Sequence, residues 1–247
     1  MNPIPPVSPP PTPLPDHPLG VRPNLWLDRV GDDVAYILPM GVFLILTAAG
    51  VQWPSIYPFS YIVKTLLAAG LLYVLWPKYT PIRWNHLWLG ALMGVIGVIQ
   101  WVGMERLLLK LWPHFPEMAG DPRDLTKAFA SPVMSWAFIG LRWAGAALVV
   151  PVMEELFWRD FLWRTVAAPA DFRLASIGEW DRGIPLLAVS FAFCFVHPQW
   201  LTAIVWGLMI GWLLIKTRSL GACIIMHGVT NFLLGLYVLY TGDWRFW

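Results

Sequence analysis

Seven apolar stretches divide the chain, at 34–53, 57–77, 87–104, 132–153, 184–197, 200–215 and 219–240. All but the fifth approach the roughly 20 residues an α-helix needs to cross bilayer hydrocarbon. The pattern predicts an all-α, polytopic membrane bundle of seven to eight transmembrane helices. The fifth stretch is short enough to be tilted or broken, and an eighth span would fit in residues 155–170 if the fourth run breaks at Pro151. The amphipathic stretch "ERLLLKLW" at 105–112 reads as a segment laid along the interface. Gly90-x-x-x-Gly94 and Gly207-x-x-x-Gly211 mark places where helices approach closely.

Composition agrees with this reading. Of 247 residues, 57% are hydrophobic and 13% charged, half the charged share of about a quarter in soluble domains. Seventeen Trp suit a chain with many indoles at the membrane–water boundary. A net charge of +2 gives no electrostatic footprint for nucleic acid. Residues 1–30 read as a disordered, Pro-rich cytoplasmic tail, with nine prolines in the first twenty positions. Residues 31–130 then hold N-terminal spans and the interfacial segment, and 131–247 form the motif-bearing core. With the N-terminus inside, the cytoplasmic connections hold nine Lys and Arg against five opposite, so the N-terminus is expected in the cytoplasm.

Charges inside spans are costly and mark function. They are Lys64, Arg142, Glu154, Glu155 and Arg159. Lys64 and Arg142 have the ordinary explanation of snorkelling or pairing within the bundle. Glu155 and Arg159 are four apart and share a helix face, while Glu154 is turned about 100° away. One carboxylate is thereby neutralised and its neighbour left free for chemistry. Phe193 and His197, and likewise His227 and Asn231, repeat the four-residue spacing, which would put each pair on one helix face. Rise along the helices sets His227, Asn231 and His197 at similar depths of roughly 14–20 Å. Glu154 comes out shallower and needs a break at Pro151, or a tilt, to join them.

The three patterns, Glu154-Glu155-x-x-x-Arg159, Phe193-x-x-x-His197 and His227-x-x-x-Asn231, resemble those of the CAAX protease and bacteriocin-processing (CPBP, or Abi) family of intramembrane glutamic proteases, which includes the type II CAAX prenyl endopeptidases. The resemblance covers residues 130–240 and implies an endopeptidase that hydrolyses a peptide bond within the membrane. By similarity Glu154 is the general base with His197 as its partner, activating water without a covalent acyl-enzyme. His227 and Asn231 would donate to the oxyanion, Glu155 and Arg159 would hold the constellation together, and Phe193 would pack over it. The substrate would be a membrane protein or a lipidated peptide cut near its C-terminus, in a cavity opening to the cytoplasm. The bacterial inner membrane is the expected location, no cofactor is expected, and no nucleic-acid partner.

Three other readings stay open. Cys194, His197, Cys223 and His227 make a possible zinc set, although both cysteines lie in apolar runs and no H-E-x-x-H is present. A catalytically silent relative that binds or shields a partner, as in bacteriocin immunity, would fit the same fold. A transporter would carry matching polar sites in two halves of the chain, whereas the first half has only Lys64.

Overall fold

The computed structural model describes residues 29–116 and 123–247. The expected tail lies outside the described residues apart from its last two positions, as does part of the connection after residue 116. Among the described residues there is no strand. The described residues form nine α-helices in order: α1 (Asp32–Gln52), α2 (Tyr57–Leu75), α3 (Leu87–Leu111), α4 (Pro132–Ala144), α5 (Val150–Glu155), α6 (Trp163–Ala167), α7 (Ile184–Cys194), α8 (Trp200–Thr217) and α9 (Leu220–Thr241). α4, α5 and α6 run on without interruption through two π-helical turns, Gly145–Val149 and Leu156–Leu162.

Helix ends follow the sequence. Pro132 opens α4 and Pro58 and Pro185 stand in the first turns of α2 and α7, where no backbone donor is needed. α9 ends at Gly242, whose positive φ of 69° lets its N–H return to Val238 O. α7 stops at Cys194 and is followed by Pro198, which cannot extend a helix.

Among the described residues, six helical segments are long and apolar enough to cross a membrane: Asp32–Gln52, Pro54–Lys78, Leu87–Leu111, Pro132–Ala167, Trp200–Thr217 and Leu220–Thr241. The chain is an integral, multi-pass membrane protein. The fifth apolar stretch yields the 11-residue α7, too short to span by itself. No eighth span forms at 155–170, because the helix widens instead of breaking near Pro151. The stretch at 105–111 continues α3, and its Glu105 is buried and accepts from Thr202 Oγ1 at 2.8 Å.

Polar contacts tie the helix ends into two opposite faces. On the first, Asp32 pairs with Lys78 at 3.2 Å and with Arg173, and Arg218 donates to Ile177 O at 3.0 Å. On the second, Arg123 donates to Pro54 O at 3.1 Å, Trp200 Nε1 to Pro116 O at 2.7 Å and Gln199 Nε2 to Arg245 O at 2.9 Å. Between the faces α1 packs on α2, α7 on α8 and α3 on α9.

The α3–α9 contact depends on glycine. A Cβ on Gly94 would stand 2.8 Å from Met226 O and 2.7 Å from Val229 Cβ, and one on Gly90 would collide with Ala222 O. Helices that lack a hydrophobic drive to associate hold together by such close contact. Gly103, on the same helix, has nothing within 4 Å of that position. Gly94→Ala should therefore lower the thermal unfolding midpoint in detergent, by an amount equivalent to about 1–3 kcal/mol of overpacking, while Gly103→Ala leaves it unchanged or raised.

Candidate active site

The first π turn follows from Pro151. Val150 N–H reaches back to Gly145 O, one residue beyond the α-helical partner. Pro151 has no N–H, so neither the α-type nor the π-type donor serves Ala146 O. Asn231 Nδ2 fills that role from α9, donating at 2.9 Å. Gly228, one turn before Asn231, lets α9 approach: a Cβ there would meet Ala147 O at 2.9 Å. The widened turn thus positions Glu154 and Glu155 three and four residues on, and this replaces the break or tilt that depth alone demanded.

Glu155 is fully buried. Its Oε1 accepts from Arg159 Nη1 at 3.1 Å and lies 2.8 Å from His227 Nδ1. The i, i+4 ion pair expected from the sequence forms, and α9 adds the imidazole. Arg159 also lies over the rings of Phe193, at 4.7 Å, and Trp206, at 5.6 Å. Beside a carboxylate already held by arginine, His227 Nδ1 is the donor, and Nε2 is the nitrogen left for other partners.

His197 is not on the same helix face as Phe193, because α7 has already ended. It sits in the linker, where its Nδ1 lies 3.0 Å from Phe193 O. A carbonyl only accepts, so Nδ1 carries the proton and Nε2 of the neutral ring carries the lone pair. Phe193 does pack over the site: its ring is 4.2 Å from that of His197 and stacks on Trp206 at 5.5 Å.

Glu154, Phe193, His197, His227 and Asn231 line one cavity of about 330 Å³. Glu154 is buried, and its Oε2 has no hydrogen-bond partner among the described residues. Glu155 and Arg159 stand behind His227 and outside the lining. The cavity extends past Ala146, Val150 and Leu234 to Gln199, Arg245, Phe246 and Trp247. It therefore reaches the second face, away from the face where α1 begins. Toward that first face the interior is filled by Trp158, whose ring meets Phe193 at 5.7 Å, and by the fully buried Trp163.

Several wall residues were not foreseen. Trp101, from α3, stands edge-on to His197 at 5.6 Å, and Trp206, from α8, lies 4.9 Å from the His227 ring. Tryptophan is too common here for its pattern to single these out. Asp160 and Arg164 form a second buried pair at 2.6 Å, completed by Tyr36 OH at 2.8 Å, and their i, i+4 spacing was available in the sequence. Lys64 and Arg142 behave as packed cations. Lys64 donates to Thr47 at 2.8 Å between the rings of Phe43 and Tyr61, and Arg142 donates to Tyr57 OH at 2.5 Å. Cys223 Sγ is directed at Ile210 O, 3.8 Å away, and among the described residues no three His, Cys, Asp or Glu gather as a metal-binding group.

A family model described as type II CAAX prenyl endopeptidase Rce1-like matches residues 135–233. This region belongs to the CAAX protease family. The match takes in all three motifs and supports CAAX-type endopeptidase activity, in a membrane-embedded chain acting on membrane-associated substrates. No curated protein and no solved structure matches the chain. Within the CAAX protease region the buried ion pair is the structural hinge of the site. Arg159→Ala should cost about 3–5 kcal/mol by breaking the buried ion pair of Glu155, seen as a large fall in the unfolding midpoint of the detergent-solubilised protein.

Proposed function

We propose that the chain is a glutamic intramembrane endopeptidase in which Glu154 activates the hydrolytic water. The observation that carries this reading is the buried Glu154, with an unpartnered carboxylate oxygen, lining a cavity shared with His197, His227 and Asn231. A water donating one proton to the Glu154 carboxylate and the other to His197 Nε2 turns its lone pair toward a scissile carbonyl. Glu154 takes a proton as the water attacks and returns it to the leaving amine. Two acceptors holding one water avoid any covalent acyl-enzyme.

His227 and Asn231 serve the oxyanion. Asn231 uses one N–H on Ala146 O and keeps the second for the substrate oxygen. For His227 to donate from Nε2 while Nδ1 is bonded to Glu155, the ring must carry both protons. Glu155 is shared with Arg159, so the Glu154 carboxylate in the cavity lining supplies the second negative charge. Such fixed donors act in the transition state, where each is worth about 3 kcal/mol.

The substrate is a membrane protein or lipidated peptide cut near its C-terminus. The excess of basic residues on the first face supports an orientation with that face, and the N-terminus, in the cytoplasm of a bacterial inner membrane. Substrate would then enter from the opposite side, past residues 245–247. A non-proteolytic binding or immunity role would use the same cavity but needs no free carboxylate oxygen.

Two kinetic outcomes check this reading with a peptide library and purified protein. Glu154→Gln should reduce cleavage by about 10²–10⁴-fold at an unchanged unfolding midpoint; full activity would remove the base. His227→Ala should lower kcat more than it raises KM, and an effect on KM alone would make it a binding residue.

A further inference from the structure

A second cavity, of about 820 Å³, lies at the first face, away from the site above. Its wall comes from three separate segments: Thr80–Arg83 between α2 and α3, Ala175–Glu179 with Arg164, and Arg218 with Leu220. Each contributes one arginine. Arg164 is buried and already committed to Asp160, to Thr80 Oγ1 at 2.8 Å and to Ala175 O at 2.9 Å. Arg218 and Arg83 are exposed, and neither has an acidic partner among the described residues. The one acid in the wall, Glu179, accepts from Ser176 N at 2.7 Å. With Arg164 balanced by Asp160, the wall keeps a net charge of about +1 from Arg83, Arg218 and Glu179.

The two available arginines are held in place through their backbones. Arg83 O accepts from Gly221 N at 3.1 Å and lies 2.8 Å from Ser219 Oγ. Gly221 permits this, since a Cβ there would meet Arg83 O at 2.7 Å and Trp84 Cε3 at 2.8 Å. Arg218 caps α8 in the left-handed region, φ 52°, with one guanidinium nitrogen on Ile177 O. The exposed indoles of Trp84 and Trp88 flank the Arg83 segment, as indoles do at headgroup depth.

We infer that this cavity binds the phosphate of an anionic phospholipid headgroup, with Arg83 and Arg218 as its ligands. Guanidinium groups match phosphate oxygens in a bidentate manner, and basic pockets between spans are suited to anionic headgroups. A free phosphate ion offers the same oxygens but gains nothing from the flanking indoles. The inference is independent of the peptidase reading, because none of these residues touches the catalytic cavity.

Calorimetric titration of the full chain in a neutral maltoside detergent tests it. The probes are dihexanoyl phosphatidylglycerol, dihexanoyl phosphatidylcholine and inorganic phosphate. Phosphatidylglycerol should saturate one site, at least tenfold tighter than either other probe. The double variant Arg83→Ala/Arg218→Ala should weaken it at least tenfold. Arg83→Gln alone, at a residue with no ion pair to lose, should weaken it several-fold at an unchanged unfolding midpoint. Phosphate binding as tightly as the lipid would make the ligand a free anion and overturn the headgroup assignment. No saturable binding, or binding indifferent to both arginines, would overturn the site.

Discussion

A carboxylate sealed from water inside a membrane protein must be answered by cations or donors, and Glu155 meets that demand from two directions at once. Arg159 comes from its own helix, one turn on, and His227 from α9, 72 residues later. The shared oxygen ties the two helices together at one depth. It also fixes which nitrogen of His227 is left for the cavity. Removing a partner would strand a buried charge, so this small network constrains the surrounding structure far more than its few atoms suggest.

The network can form only because the helix that carries Glu154 and Glu155 is not regular. Pro151 removes a donor inside a span, where an unpaired backbone carbonyl is costly. The helix responds by widening, and Asn231 supplies the missing hydrogen bond to Ala146. One side chain thus repairs a backbone defect and lines the cavity. The same economy appears in α7, whose early end lets His197 turn its ring back onto Phe193 O. Irregular backbone in both places lies against a cavity or another helix, where its polar groups find partners.

Much of this was legible in the chain. Spans longer than a bilayer is thick declare themselves by composition, so six of the seven expected ones appear as spanning helices, and the short run at 184–197 was already the doubtful one. The ion pair of Glu155 with Arg159 followed from helical spacing. What spacing could not reveal was local geometry that depends on tertiary partners. The first π turn, which Pro151 prompts, is completed by Asn231 and Gly228 facing it from α9. Trp101 and Trp206 wall the cavity through packing that leaves no periodic trace. The direction of the cavity is set by Trp158 and Trp163 filling one end, which no single stretch of sequence encodes.

Function then rests on whether Glu155 acts through His227. A double-mutant cycle on kcat/KM with Glu155→Gln, His227→Gln and the pair measures this coupling directly. Groups that work as one unit give strongly non-additive losses, so the double variant should be no slower than the slower single variant. Losses that multiply would separate the two residues and contradict the account.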